Sequence, residues 1–168
     1  MSDLFERDVA IHVASVIAAH RDADQPGATF RAVEAALAAT IGHKLFTVLV
    51  HSPGLRQYQR VYSNQPAAYP VGGVKPVSAF PLSHPLLVEG KPYIGRTADD
   101  IRAAFLDHEV ILSLACESVL KMPVRWAGAT LGSLNLLHVA QWYSDADVPL
   151  ARLFAQLALP ALMLTARR

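Results

Sequence analysis

Between Ser52 and Arg96 the chain places seven prolines and five glycines within 45 residues. Proline fixes φ and donates no backbone hydrogen bond, so no long helix or central strand can run through this stretch. One short strand over 59–63 is the only regular element predicted there. The remaining structure must be built from the two flanks and joined across a long connection, which in a compact domain is as a rule functional or mobile.

The upstream flank reads as two helices and a strand. Val9, Val13, Val16 and Ile17 recur at helical spacing behind an Asp3–Glu6 capping box, predicting a helix over residues 4–20. Phe30, Val33, Leu37 and Ile41 repeat the pattern, and Gly42 closes the second helix. Over 44–51 the period changes to two, with Phe46, Val48 and Val50 on an apolar face and Thr47, Leu49 and His51 on the other. Downstream, Thr97 and Asp100 cap a short helix ahead of Ile101, Ala104 and Phe105, and Asp107 caps a further turn through Ile111 and Leu114. Strands over 117–124 and 130–139 flank a turn at Ala127-Gly128, and Ser144 with Asp147 caps a last helix that Pro160 kinks.

This order predicts an α+β fold, an antiparallel sheet with the long N- and C-terminal helices on one face and loops plus short helices on the other. A single domain spans 1–168: helices in 1–42, the sheet in 43–139 with the proline-rich loop 52–96 and short helices in 97–115, and the C-terminal helix in 144–168.

Charge and cysteine content narrow the function classes. Lys and Arg number 15 against 14 Asp and Glu, a net charge of +1 without a basic run, so no footprint for a phosphate backbone exists and no nucleic-acid partner is expected. The single cysteine, Cys116, excludes a disulfide framework and a cysteine zinc site, and predicts a cytoplasmic protein. The N-terminus is mixed in charge and lacks an apolar h-region, so it reads as unprocessed. Mean hydropathy is +0.27, and 148–166 is long enough to raise a membrane span. Arg152 and Gln156 on one helical face, with Pro160 beyond them, favour a buried or dimer-forming helix instead, and no membrane partner is expected. The apolar circumference of the last helix, together with Val9, Val13 and Val16, predicts a homodimer through the first and last helices.

The block Glu117-Ser-Val-Leu-Lys-Met-Pro-Val124, the hairpin, and Leu131-Gly-Ser-Leu-Asn-Leu-Leu-His138 ahead of a closing amphipathic helix resemble a GAF domain, and the resemblance covers essentially the whole chain. It implies a pocket on one sheet face that takes a small molecule. The family also contains free methionine-(R)-sulfoxide reductases. Aligning their strand-ending proline with Pro123 puts the nucleophile near Leu112 and the carboxylates near Val119, Asn135 and Leu137, and no second cysteine exists to resolve an intermediate. No catalytic residue and no metal ligand is therefore assigned, and no cofactor is identified.

Alternation places Leu120, Met122, Leu134 and Leu136 with Phe46, Val48 and Val50 toward the long helices. Thr47, His51, Glu117, Lys121, Ser133 and Asn135 then face the opposite side, which the resemblance makes the ligand side. Arg60, Tyr62 and Tyr93 are added as an anion clamp and stacking surfaces from the connection; Tyr69, Trp126 and Arg96 are weaker candidates of the same kind. Glu117 and Lys121 also read as an exposed charged pair. The histidines show no metal-binding spacing; His51, His84 and His108 are the ones a site assembled across the fold could use. Gly72-Gly73 predicts a turn near the ligand side. The expected function is a small-molecule-binding sensory or regulatory module without catalysis, its ligand unidentified. The alternatives are a small-metabolite enzyme on the same scaffold and a pure dimerisation element, which a narrow, empty cavity would favour.

Overall fold

The computed structural model describes residues 2–79 and 84–166, with side chains within 8–78 and 84–166; the Asp3–Glu6 capping pair lies outside the described side chains. Helices α1 (Ser2–Ala19) and α2 (Gly27–Thr40) precede strand β1 (Leu45–Ser52). Gly42, at φ 90°, ends α2 with its N–H donating to the Leu37 carbonyl at 2.8 Å. Strands β2 (Gln57–Ser63), β3 (Val74–Pro76) and β4 (Tyr93–Gly95) follow, then the short helices α3 (Ala98–Ala104) and α4 (His108–Ser113). Strands β5 (Ser118–Trp126) and β6 (Ala129–His138) form the hairpin, and helices α5 (Val148–Leu157) and α6 (Leu159–Ala166) close the chain. The six strands form one antiparallel sheet in the order β3-β2-β1-β6-β5-β4.

The proline-rich connection contributes more strand than expected, since β3 and β4 join β2 within it. Both are edge strands of three residues, and Pro76 and Pro92 sit at the end of β3 and just ahead of β4. An edge strand has one unpaired side, so a missing N–H costs no ladder bond there. At the hairpin, Ala127 and Gly128 have φ of 48° and 79° between paired Trp126 and Ala129, a two-residue type I′ turn whose twist matches the strands.

One sheet face carries Phe46, Val48, Leu120, Met122, Leu134 and Leu136, all fully buried against Phe30 and Leu37 of α2 and Phe154 and Leu162 of α5 and α6. Each such side chain contributes about 1.5–3 kcal/mol of hydrophobic stabilisation. A second apolar cluster lies on the opposite face, where Leu45, Val119 and Leu137 meet Ile101, Phe105 and Ile111 of the α3–α4 region. The long helices and the short helices thus occupy opposite faces, as the patterning predicts.

Pro160 has no N–H to give the Gln156 carbonyl, and the last helix breaks at Ala158 into α5 and α6, bent by 49°. Among the described residues no single helix is long and apolar enough to cross a membrane; the bent pair passes only when its halves are combined. Within it Ala151, Phe154, Ala155, Ala161 and Leu162 are buried in the sheet-facing core.

α6 approaches the sheet where Gly132 leaves room. A Cβ at Gly132 would lie 2.1 Å from the Leu49 carbonyl oxygen and 3.1 Å from Leu162 Cδ2. Gly132→Ala is therefore expected to lower the unfolding free energy by about 3 kcal/mol in a urea titration. Gly128→Ala, at a turn with open space around it, is expected to cost less.

Candidate functional site

Register carries one residue from each of five strands into a single row. Ser63, Thr47, Asn135, Lys121 and Tyr93 are successive cross-strand partners from β2 to β4. They share the face that α3 and α4 cover. Leu49, paired with both Arg60 and Ser133, begins the neighbouring row.

The β1–β2 ladder shifts between Val48 and Leu49, leaving Val61 as an extra residue on β2. Arg60 and Tyr62, both candidates for the ligand side, are two apart in sequence, and this bulge sends them to opposite faces. Arg60 turns to the polar row. Tyr62 packs on the helix side, its ring 5.8 Å from Phe30 and 6.0 Å from Phe46, with its hydroxyl donating to Glu34 Oε2. Tyr62, a candidate for the ligand side, thereby lies on the helix-facing side, half-buried against the core.

A small, partly open cavity of about 20 Å³ sits over the row, room for about one water. Its floor is Thr47, Leu49 and Asn135, with Tyr58 and Arg60 beside them; Tyr69, Gly73, Lys75 and Phe105 form the roof. Gly72, at φ 89°, makes the expected turn next to the roof. On the floor, Asn135 Nδ2 donates to Thr47 Oγ1 at 3.1 Å, and Ser133 Oγ donates to Asn135 Oδ1 at 3.4 Å. Arg60 and Lys121 are only 7% and 4% exposed. Arg60 Nη1 donates to the Pro70 carbonyl at 2.8 Å, and its guanidinium stacks 3.5 Å from the Tyr69 ring centroid. Lys121 Nζ stands 4.6 Å from the centroid of the Phe105 ring.

Asp107 holds the roof down. Its Oδ2 accepts from Lys75 Nζ at 2.5 Å and from the Tyr69 hydroxyl at 2.6 Å, with Arg60 Nη2 at 3.6 Å. Asp107 occupies the N-cap position of α4, as expected, but its side chain makes no cap hydrogen bond. Burial works to raise the Asp107 carboxyl, yet the hydrogen bonds from Lys75 and Tyr69 and the Lys75 charge outweigh it and hold the pKa below the usual carboxylate value. Burial pushes the Tyr69 phenol up, and the Asp107 charge adds to that. Among the described residues, Asp107 Oδ1 and Arg60 Nε are buried without a hydrogen-bond partner. Such atoms cost free energy unless a water or ligand meets them.

The other sequence candidates scatter. Glu117 is exposed and precedes β5, its backbone N–H donating to the His138 carbonyl at 2.8 Å, so it forms no surface pair with the buried Lys121. Tyr93 is half-buried beside Lys121 and packs against the second apolar cluster. Trp126 is exposed on the hairpin, and Arg96 Nη2 lies 3.5 Å from Asp145 Oδ2. His51 contacts Tyr58, His84 is 3.5 Å from Glu89, and His108 Nδ1 is 3.0 Å from the Phe105 carbonyl. Among the described residues no group of three His, Cys, Asp or Glu could hold a metal. Sequence reasoning missed Tyr58 and Lys75 and read Asp107 only as a cap. The period-two position of Tyr58 relative to Arg60 was a usable signal; nothing local marks Lys75 and Asp107 as partners.

Burial lowers the Lys121 pKa to about 8, against a raising effect of Asp107 and a further lowering by Lys75. Between pH 8 and 10.5 the unfolded chain therefore binds more protons at this site than the folded chain, and the Lys121 contribution to stability rises with pH. The unfolding free energy of wild type minus that of Lys121→Met is expected to rise by about 3 kcal/mol across that window in urea titrations. A pH-independent difference would place Lys121 in solvent.

No family model matches the sequence, and no curated protein matches it. Solved structures do. The GAF domain of a phosphoenolpyruvate-protein phosphotransferase from Acinetobacter superposes with a TM-score of 0.76 at 13% identity, covering 99% of this chain and 97% of that one. The corresponding GAF domain from Coxiella burnetii gives 0.73 at 14% identity, covering 97% and 94%. The chromophore-binding domain of the bacteriophytochrome RpBphP3 from R. palustris gives 0.70 at 12% identity, covering 98% of this chain and 63% of that one. With its six-stranded antiparallel sheet and flanking helices superposing on these domains over nearly the whole chain, the chain has a GAF-like domain fold.

Proposed function

We propose that this domain binds a small molecule in the pocket between the polar row and its roof, as a sensory or regulatory module without catalytic activity. The observation that carries the reading is the cluster of buried Arg60, Lys121, Thr47 and Asn135 on a sheet face that apolar side chains could have filled. A polar interior costs stability unless its groups are satisfied, and among the described residues two of its atoms, Arg60 Nε and Asp107 Oδ1, are not. The narrowness of the cavity favours the alternative of a dimerisation element. The unmet polar atoms favour binding, with entry of any ligand larger than water requiring the 64–71 part of the roof to lift away from the β2–β3 ladder.

The non-catalytic part of the reading is supported by Cys116. Its side chain is fully buried, and burial pushes the thiol pKa up, away from the thiolate that redox or nucleophilic chemistry needs. A thiol free of disulfides also fits the cytoplasm. Homodimerisation is part of the same proposal. Ile11 and Ile17 of α1 are 63% and 51% exposed, and α1, the end of α2 and α5 border an apolar groove of about 530 Å³ containing Val9, Ile41, Pro149, Leu150 and Leu153. A second copy of the chain seated there would form a two-fold helical bundle.

Native mass spectrometry of the purified protein is expected to show a bound small molecule, and Asn135→Leu to release it, with unchanged circular dichroism. Retention by Asn135→Leu would remove the pocket from the proposal. Methionine sulfoxide with a thiol reductant is expected to show no turnover, and turnover abolished by Cys116→Ser would restore the enzyme reading. Sedimentation velocity in detergent-free buffer is expected to give twice the 18.2 kDa chain mass, and a monomer at micromolar concentration would refute the dimer.

A further inference from the structure

Resting on the pocket reading above, we propose that Asp107 is a built-in occupant of the anion position, and that the pocket's ligand is a short aliphatic carboxylic acid whose carboxylate replaces that of Asp107 between Arg60 and Lys75. Two cationic side chains, Lys75 at 2.5 Å and Arg60 at 3.6 Å, border the Asp107 carboxylate, and the charge of Asp107 also raises the pKa of Lys121 against its burial. The chain holds that carboxylate imperfectly. Asp107 is anchored through its backbone at the start of α4, so Oδ2 reaches Lys75 and Tyr69 while Arg60 Nη2 stays at 3.6 Å, beyond a good hydrogen bond. Among the described residues Oδ1 accepts nothing and Arg60 Nε donates nothing, although a guanidinium presents Nε and Nη2 as a matched pair of donors to a carboxylate. A carboxylate free of the backbone can enter that fork, and the tethered one does not.

The exchange keeps the electrostatics of the site intact. One carboxylate leaves as another enters, so no buried cation loses its counter-charge. Asp107 is already partly exposed and follows exposed Leu106, so it has a short path to solvent. The cavity of about 20 Å³, enlarged by the space of the departing side chain, limits the acid to a small one. Leu49 and Phe105 give its tail apolar walls. Departure of Asp107 also removes the acceptor that ties Lys75 and Tyr69 to α4, so occupancy by the acid unlatches the 64–71 part of the roof from the α3–α4 side, while 72–76 stays paired to β2. Binding is thereby converted into movement of one surface segment.

Acetate is the Asp107 side chain severed from its Cα, and is the probe for the full-length chain. Thermal unfolding and ¹³C-acetate NMR titrations are run at constant ionic strength, with acetamide and inorganic phosphate as comparison solutes. Asp107→Ala is expected to bind acetate about tenfold or more tightly than wild type, because the tethered competitor is gone. Acetamide is expected to bind neither protein, and Arg60→Met in the Asp107→Ala background to abolish acetate binding. If Asp107→Ala does not fold, Asp107→Asn, which keeps an acceptor for Lys75 and Tyr69 but drops the charge, serves in its place. Equal or weaker acetate binding by the Asp107 variant, equal effects of acetamide, or a larger effect of phosphate would each overturn the proposal. A neutral molecule held by wild type, lost on Asn135→Leu and unaffected by Asp107→Ala would overturn it while leaving the pocket reading in place.

Discussion

The register between β1, β6 and β5 is the constraint on which the rest of this domain depends. Thr47, Asn135 and Lys121 lie opposite one another across three central strands, and Val48, Leu134 and Met122 form the adjacent row on the other face. Side chains alternate with a period of two, so a slip of one residue would drive an amide and an ammonium into the apolar core and expose its leucines. The helix-facing cluster fixes the register because it has the larger apolar area to lose. The polar row on the opposite face is held in place by that cluster rather than by its own interactions.

That division of labour explains how the chain sustains an unfavourable interior. On the helix side, Phe30, Leu37, Phe154 and Leu162 close over the sheet without polar atoms. On the other side, Arg60, Lys121 and Asp107 share a confined space in which each charge is desolvated. The electrostatic balance is local: Lys75 and Tyr69 compensate Asp107, while the Tyr69 and Phe105 rings lie against Arg60 and Lys121. The roof is fastened by the β2–β3 ladder from Gly72 to Pro76 and by side chains over 64–71, and the side-chain-held part is the one that can open at least cost.

The proline-rich connection serves both faces of this argument. Its prolines keep β3 and β4 short and at the edges, where the sheet needs no further partner. Between them the chain is free to cross the pocket, and Gly72 supplies the positive φ that turns Gly73 and Lys75 over the cavity. The irregularity in the β1–β2 ladder, the Val61 bulge, completes the site by turning Arg60 inward while leaving Tyr62 with Phe30 and Phe46.

The sequence by itself determined the elements whose signal is local and periodic. These are the two opening helices, the apolar face of β1, the β5–β6 hairpin with its Ala127-Gly128 turn, the Thr97 and Ser144 caps, and the Pro160 break. Period-two patterning also separated Thr47, Lys121, Ser133 and Asn135 from the core face, because parity is preserved along the stretches that hold them, clear of the register shift at Val124 and Arg125. Only the tertiary structure decided what breaks parity or joins distant chain. A bulge at Val61 moved Tyr62 to the helix-facing side, and Glu117 fell outside β5 into solvent. Asp107 left its helix cap for Lys75 and Tyr69, residues more than 30 positions away. A side chain's choice between a local backbone partner and a distant charge is set by burial and counter-charge, quantities that exist only once the sheet has brought those residues together.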